Sequence, residues 1–414
     1  MKQIQTIAQV SPQKFADRLA VLVILALVVG LAAAVRLPLA LRQNFPLNDG
    51  GLFFQMTRDL QANGYRLPAY TTYNFRNIPF AYPPLPFYFS GLLSDLTGID
   101  LIELFRFLPL AFNLLTVLAV YLLAREWLAD QMSALQAALI FGLLLPGYEW
   151  QIMGGGVTRS PAYFFSVLAL YFTLRALKAA PADRAARLRA WLPAWLLLWL
   201  TGVSHLQIFY ITAIWVVVIV LYHTRSWRSL AVLAGLFAAV GLALAPYGLA
   251  VINRHGLQPF LAAFSTGHYR QWLGLILIPF SNLTGEMRMT PVFIFAVLGI
   301  LRRAYRKDYL FVWLLLASAV LDPRGLTRDL AILFSLAAAD AIFQLALPAV
   351  SGAPARHTLP AGAAGGAAPD DPGELMPQVK PPSTAPVMAV ILYLLFASAL
   401  VTRFLADSET HVFK

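Results

Sequence analysis

The sequence has no cysteine and few charged residues. Of its 414 residues, 12% are Asp, Glu, Lys or Arg, whereas 59% are hydrophobic. The absence of cysteine excludes disulfides, thiolate metal sites, thiol nucleophiles and palmitoylation. A soluble chain of this length would carry more charge on its surface. The low charge therefore indicates a protein that lies largely in lipid.

Several motifs of nucleotide, metal and acyl chemistry are also missing. The chain has no P-loop, no G-x-G-x-x-G after a strand pattern, no H-E-x-x-H and no G-x-S-x-G. Its six histidines form no cluster with Asp and Glu at metal-ligand spacing. Gly154–Gly156 opens an apolar helical pattern, so this glycine run does not indicate a nucleotide-binding loop.

Long apolar runs separated by basic clusters are the dominant pattern. The basic residues that give the net charge of +11 lie between these runs. This position indicates that they set the topology and contact anionic lipid headgroups, and it does not favour binding of nucleic acid. We predict an all-α fold, a polytopic transmembrane helical bundle. At roughly 20 apolar residues per crossing, about eleven spans are expected. They are 17–38, 104–124, 131–148, 159–178, 190–203, 205–222, 229–249, 289–302, 309–321, 329–348 and 386–405.

Basic residues predict the orientation of these spans. Lys2, Lys14 and Arg18 precede the first apolar run, which we interpret as a retained signal anchor with a cytoplasmic N-terminus. The stretch Trp191–Tyr222 has basic residues before and after it, so it should turn back at Gly202–His205. The C-terminus is then extracytoplasmic. The pattern predicts an integral membrane protein of a prokaryotic plasma membrane.

The predicted domain organisation has three parts. Residues 1–348 form the transmembrane domain, with a long extracytoplasmic first loop at 39–103 that contains interfacial helices. Within this loop, Leu52–Leu60 is amphipathic, and Tyr82–Tyr88 is apolar but rich in proline, so both should lie at the membrane surface. Residues 349–385, rich in Ala, Gly and Pro, are predicted to be a flexible cytoplasmic linker. Residues 386–414 hold the last span and a short outer tail.

Asp49 is the main catalytic candidate, since it lies where the chain first leaves the membrane. A carboxylate there could deprotonate an acceptor hydroxyl as a general base. One base suffices when the leaving group is a phosphate, whereas glycosidases normally need a second carboxyl. Asp49 also directly precedes a helical pattern, and Asp is a favoured helix N-cap. The sequence leaves both roles open for Asp49.

Arginines on the predicted outer face form a second candidate set. The positive-inside rule predicts few of them there, and arginine binds phosphate with bidentate geometry. Arg159 is the strongest candidate because Gly154–Gly156 precedes it at a helix mouth. The alternative for each arginine is pairing with a nearby aspartate or a headgroup. The set comprises Arg58, Arg66, Arg76, Arg159, Arg270, Arg324 and Arg328.

Three further polar groups stand out. His205, at the predicted turn, could bind a sugar or a phosphate, or be a satisfied interfacial histidine. His268 and Arg270 form a second polar cluster among aromatic residues that are typical of a membrane belt. Asp340 lies inside the tenth span, where an acid is either functional or bonded to a neighbouring helix.

The layout resembles the GT-C superfamily of membrane glycosyltransferases over roughly residues 15–250. The resemblance lies in the first span, the loop that opens with Asp49, the amphipathic helix, and Tyr82–Leu85, which is similar to a His-Pro-Pro-Leu segment of that family. Gly50 stands where relatives often have a second acid, and Tyr82 where histidine is frequent. The sequence also predicts no large soluble C-terminal domain of the kind found in oligosaccharyltransferase-like members.

The resemblance implies an inverting transfer of sugar from a polyprenyl-phosphate donor to an acceptor hydroxyl on the outer face. It implies Asp49 as the base, and in some relatives a divalent metal ion near this acid. The expected substrate-binding residues are Arg76, Tyr82, Arg159, His205, His268 and Arg270. Two other functions remain open: a non-catalytic membrane subunit that binds a lipid or a protein partner, and a transporter or flippase suggested by Asp340.

Overall fold

The computed structural model describes residues 12–42, 44, 48–128, 130–154, 156–179, 184–224, 227–265, 290–322 and 325–348. Over these residues the chain is almost entirely helical, and its sheet is one pair of two-residue strands. The all-α prediction is therefore confirmed for the described residues. His268, Arg270, the predicted linker 349–385 and the predicted span 386–405 lie outside them.

The described residues form fourteen α-helices. In chain order they are α1 (Pro12–Leu41), α2 (Gly50–Ala62), α3 (Leu85–Thr97), α4 (Leu101–Leu128), α5 (Gln131–Leu143), α6 (Glu149–Ile152), α7 (Gly156–Ala179), α8 (Arg184–Ser204), α9 (Leu206–His223), α10 (Trp227–His255), α11 (Gln258–Ser265), α12 (Thr290–Tyr305), α13 (Leu310–Leu321) and α14 (Leu326–Ala341). Strands β1 (Tyr70–Thr71) and β2 (Ile78–Pro79) pair antiparallel in the first loop.

Six of these helices are long and apolar enough to cross a membrane: α1, α4, α7, α9, α10, and α14 together with the π-helical turn Ile342–Ala346 that continues it. A seventh crossing results if α5 and the segment Leu145–Ile152 count as one bent span. The other predicted spans coincide with α8, α12 and α13. Helices α12 and α13 have 16 and 12 residues, and α8 begins with three arginines in six residues. The chain is an integral membrane protein, but the count of about eleven spans is not confirmed.

Two predicted interruptions of the apolar pattern behave differently. The stretch Trp191–Tyr222 breaks at His205, which is extended between α8 and α9, as the basic flanks predicted. The span predicted at 131–148 is not straight, because the chain bends by 86° after α5. Leu144 is extended, and Pro146 follows without an amide hydrogen to continue the helical ladder.

Small residues allow the helices to approach one another closely. On α12, a methyl group at Gly299 would overlap the carbonyl oxygen of Ala337 on α14. A methyl group at Gly142 on α5 would stand 3.2 Å from Ala32 Cβ on α1. Lipid tails supply little drive for apolar side chains to associate, so close backbone packing of this kind holds membrane helices together.

Side-chain contacts define two ends of the bundle. At the end that carries the first loop, termed the loop end, Arg106 Nε at the start of α4 donates to the carbonyl of Ala40 in α1 at 3.1 Å. At the opposite end, Lys178 in the last turn of α7 pairs with Glu126 near the end of α4 at 3.2 Å. The helices alternate between these ends. The loop end therefore also contains the starts of α7, α9 and α14.

The first loop, bounded by α1 and α4, is a folded layer on the loop end. Helices α2 and α3 pack against each other around buried Phe53, Phe80 and Phe87. Val157 at the start of α7 and Phe105 in α4 join this small core. The proline-rich segment forms the turn into α3. The loop therefore has a fixed position over the starts of α4 and α7.

Asp340 makes ion pairs at the opposite end of the bundle. Its two carboxylate oxygens accept from Arg302 Nη1 at 2.7 Å and from Arg303 Nη2 at 3.2 Å, both on α12. Arg302 Nη2 also donates to Gln344 Oε1 at 3.2 Å. Asp340 therefore links α14 to α12, which is the helix-to-helix alternative left open by the sequence.

Candidate functional site

The structure brings Asp49 and Arg159 together across 110 residues of chain. Arg159 Nη2 donates to Asp49 Oδ2 at 3.1 Å, and the two groups also form an ion pair. The Asp49 side chain is 52% exposed, whereas that of Arg159 is 20% exposed. The Asp49 carboxylate is therefore half exposed, and a largely buried guanidinium fixes its position.

Asp49 does not cap α2 with its side chain, although it directly precedes the helix. Its backbone carbonyl accepts the amide of Phe53 at 3.0 Å, so the main chain alone begins the helix. Asn48 adopts a left-handed conformation before it, which Asn tolerates better than most residues. The carboxylate is consequently directed to Arg159 and not to the helix amides.

A tight corner between α6 and α7 fixes Arg159. Gly156 opens α7 so close to α6 that a methyl group there would stand 2.5 Å from the Gln151 carbonyl oxygen. Ser160 Oγ donates to the same oxygen at 2.7 Å. Arg159 Nη1 donates to the carbonyl of Trp150 at 3.3 Å. One nitrogen of the guanidinium group is thus bound to α6, and another is bound to Asp49.

A buried arginine supports this corner from within the bundle. Arg36 on α1 is 0% exposed; its Nε donates to Asn113 Oδ1 at 2.6 Å, and its Nη1 donates to the carbonyl of Gly142. Its guanidinium lies 4.4 Å from the centre of the Tyr148 ring. Asn113 Nδ2 donates to the carbonyl of Gly147 at 3.1 Å. Arg36 was not among the residues predicted from the sequence, although an arginine within an apolar span itself indicates a functional or structural role.

Tyr82 and His205 meet beside the same end of α2. Tyr82 Oη lies 3.5 Å from His205 Nε2, and the Tyr82 ring packs edge-on against Phe53 at 4.6 Å. His205 caps α9, since its Nδ1 accepts the amide of Ile208 at 3.4 Å. In the neutral ring, Nε2 then carries the hydrogen and donates to Tyr82. The turn of α2 that begins at Asp49 ends at Phe53, so this polar pair borders the Asp49 region.

Asp59 organises the outer part of the loop. Its carboxylate accepts from Thr71 Oγ1 at 2.7 Å, from the Thr72 amide at 2.8 Å and from Gln55 Nε2 at 2.9 Å. Partial burial by itself raises the pKa of Asp59, but hydrogen bonds from Thr72, Thr71 and Gln55 outweigh it and lower the pKa below 3.8. This carboxylate joins α2 to β1.

Among the described arginines predicted for the outer face, only Arg159 bonds to Asp49; Arg270 and Arg324 lie outside the described residues. Arg76 is exposed just after the turn Tyr73–Phe75, and Arg66 is exposed in the same loop. Arg58 lies over the ring of Phe54, with its guanidinium carbon 5.0 Å from the ring centre. Arg328 is buried and pairs with aspartates, so the pairing alternative is confirmed for it.

The site offers one carboxylate to a metal ion. In the part of the chain that the structure describes, no group of three or more His, Asp or Glu side chains could hold a metal. One oxygen of Asp49 is already paired with Arg159. A divalent ion takes several oxygen ligands. The described residues therefore do not fit the metal that the family resemblance left open.

Solved structures, but no sequence families, match this chain. No protein-family model matches, and no curated protein matches. The archaeal oligosaccharyltransferase AglB from Archaeoglobus fulgidus, in complex with an inhibitory peptide and a dolichol-phosphate, has 14% identity and a TM-score of 0.59, over 95% of this chain and 56% of AglB. ArnT from Cupriavidus metallidurans bound to undecaprenyl phosphate has 17% identity and a TM-score of 0.54, over 81% of this chain and 62% of ArnT.

A third match extends the same pattern. The Archaeoglobus fulgidus oligosaccharyltransferase in complex with Zn and sulfate has 16% identity and a TM-score of 0.57, over 77% of this chain. The chain spans 48% to 62% of the length of the chains in these three structures. AglB and ArnT are GT-C superfamily membrane glycosyltransferases. At this level of identity the similarity concerns the fold alone. The shared fold confirms the resemblance seen in the sequence.

Proposed function

We propose that this protein is an integral membrane glycosyltransferase that moves a sugar from a polyprenyl-phosphate donor to an acceptor hydroxyl with inversion. The observation that carries the proposal is the Asp49–Arg159 pair at the loop end, in a fold shared with AglB and ArnT. A half-exposed carboxylate beside a guanidinium supplies a base and a binding group for an anion.

In the proposed reaction, Asp49 accepts the proton of the acceptor hydroxyl. The acceptor oxygen forms a bond to the anomeric carbon as the bond from that carbon to the phosphate oxygen breaks. The electron pair of the broken bond leaves with the phosphate, which departs as an anion and needs no acid. Because attack and departure occur on opposite faces of the sugar, the configuration inverts.

Arg159 takes two roles in this proposal. Its bond to Asp49 orients the carboxylate, and its remaining N–H groups stabilise the charge on the leaving phosphate. The Tyr82–His205 pair, with the exposed Arg76, is the proposed contact for sugar hydroxyls or phosphate. His268 and Arg270 remain predicted contacts of the substrate. The lipid chain would reach the site laterally from the bilayer.

The proposed orientation places the loop end outside the cytoplasm. Basic residues favour the cytoplasmic side. At the opposite end of the bundle lie Arg125 in the last turn of α4, Lys178 in the last turn of α7, and Arg302 with Arg303 at the end of α12. The N-terminus is then cytoplasmic, and Asp49 acts on the outer face of a prokaryotic plasma membrane.

The test is sugar transfer by the purified chain in nanodiscs, with a panel of radiolabelled polyprenyl-phosphate sugars and membrane extract as acceptor. Asp49→Asn should abolish transfer because the amide cannot accept the proton. Asp95→Asn is the matched control: Asp95 is also a loop carboxylate, but it accepts from Tyr65 and from Gln61, which lies at the opposite end of α2 from Asp49. Turnover by Asp49→Asn at the wild-type rate would refute the role of Asp49 as base.

One feature favours a second function. Gly50 follows Asp49 where GT-C relatives often have a second acid, so the chain could instead be a non-catalytic subunit that holds a lipid or a protein partner. Isolation in a stoichiometric complex, together with no transfer by wild type from any donor of the panel, would support this alternative. The transporter hypothesis loses its main support, because Asp340 is neutralised by Arg302 and Arg303.

A further inference from the structure

A buried cluster at the loop end contains one more negative charge than positive charge. Arg328 Nη2 binds Asp322 Oδ2 at 2.7 Å, and Arg328 Nε binds Asp329 Oδ1 at 2.9 Å. All three residues are at most 9% exposed. With both carboxylates ionised, two negative charges share one guanidinium, and the described residues leave a net charge of −1. Burial of an uncompensated charge is strongly unfavourable.

The two carboxylates differ in how fully they are bonded. Asp322 is saturated, since its Oδ1 accepts from Gln207 Nε2 at 2.8 Å and from the Gly325 amide at 3.1 Å. Asp329 Oδ2 is buried and lacks a partner of normal hydrogen-bond geometry among the described residues, although the Ser318 hydroxyl also interacts with this carboxylate. The excess charge therefore resides on Asp329, and its unbonded oxygen is the atom that requires compensation.

Asp329 lines a cavity of about 10 Å³ between α7, α9 and α14, which is roughly the room that one water-sized occupant needs. The other polar side chains of the wall include Tyr163, Ser166 and Thr212. Arg328 also borders the cavity, and its Nε and Nη2 donate to the two aspartates. The cavity is therefore small, and a carboxylate and three hydroxyl groups share its wall with aliphatic side chains and Trp215.

The hydroxyl groups of the wall direct their hydrogens elsewhere. Tyr163 Oη donates to the carbonyl of Arg328 at 2.9 Å, and Thr212 Oγ1 donates to the carbonyl of Ile208. Ser166 Oγ and Thr212 Oγ1 are 2.7 Å apart, so Ser166 supplies the hydrogen of that bond. These oxygens consequently present lone pairs to the cavity. These hydroxyl oxygens, beside a net negative charge, match a small cation, although Arg328 and aliphatic side chains complete the wall of the cavity.

We propose that this cavity binds one small monovalent cation, with Asp329 Oδ2 as the charged ligand and the Ser166 and Thr212 oxygens as neutral ligands. The charge of −1 selects a monovalent ion, since a divalent ion would leave an excess positive charge in the same buried space. Hard oxygen ligands favour Na⁺ or Li⁺ among such ions. The proton is the competitor, because it would neutralise Asp329 directly. This proposal is independent of the proposed glycosyl transfer.

The test is thermal unfolding of the full chain in nanodiscs at constant ionic strength, with choline chloride replaced stepwise by NaCl, LiCl or KCl. We expect a saturable rise of the apparent Tm with NaCl, and a higher half-saturating concentration at pH 6 than at pH 8 because protons compete. Asp329→Asn should abolish the rise. Asp95→Asn in the first loop should keep it.

Two observations keep the proposal falsifiable if Asp329→Asn does not fold. The cation titration of wild type needs no variant, and Ser166→Ala removes a neutral ligand without a change of charge. Ser166→Ala should raise the half-saturating NaCl concentration. An apparent Tm of wild type that responds to pH but equally to all four salts would place a proton on Asp329 and overturn the proposal. An unchanged titration in Ser166→Ala would also overturn the assignment of ligands.

Discussion

Gly156→Ala tests how closely α6 and α7 must approach for the Asp49–Arg159 pair to form. The added methyl group would stand 2.5 Å from the Gln151 carbonyl oxygen and 3.1 Å from Pro109 Cβ. The first of these contacts is with backbone, so one of the two helices must shift. Overpacking of this kind destabilises by about 1–3 kcal/mol. We expect the free energy of unfolding to fall by that amount and the apparent Tm to fall with it.

The shift should also reach the site. Ser160 loses its 2.7 Å bond to Gln151 and Arg159 its bond to Trp150 if the start of α7 moves away from α6. Sugar transfer should therefore fall together with stability. Ser160→Ala, which removes the hydrogen bond but adds no atoms, should destabilise by a smaller amount, about 1 kcal/mol.

The assay is thermal unfolding in nanodiscs, followed by tryptophan fluorescence and by recovery of monodisperse protein. Gly241→Ala is the matched control, because a methyl group at Gly241 in α10 would meet nothing within 4 Å. In a helix that substitution is neutral or stabilising by up to about 1 kcal/mol. Equal stability of Gly156→Ala and wild type would refute the close approach of α6 and α7, and so would equal damage by both substitutions.

Two further predictions concern buried and partly buried charges. Arg328→Leu leaves two buried carboxylates without their cation, so it should destabilise by about 3–5 kcal/mol and sharply reduce the recovery of monodisperse protein, with partial rescue by Arg328→Lys. The lowered pKa of Asp59 gives the loop a stabilisation that is present above about pH 4 and is lost as the pH falls through the folded-state pKa. Limited proteolysis of the loop should therefore accelerate below about pH 4 in wild type, whereas Asp59→Asn should be cleaved faster already at pH 7 and show little further change.

The bent span shows where sequence patterns reach their limit. The apolar composition of 131–148 predicted one crossing, and the structure contains apolar helix there, but an 86° bend separates its two parts. Composition reports whether a segment prefers lipid. Composition does not report the path of the segment, because one proline and one extended residue can bend the chain while the segment remains apolar.

The sequence by itself determined that this is an all-α membrane protein and that a loop follows the first span. It also singled out Asp49 as the candidate base and Arg159 as the candidate phosphate-binding residue. These follow from composition and from local patterns, which act on neighbouring residues. Only the tertiary structure decided that Asp49 meets Arg159, that Arg36 supports their corner, and that Arg328 is shared by two buried aspartates. Such contacts depend on how distant helices pack, which in lipid is governed by close backbone approach and by hydrogen bonding between helices.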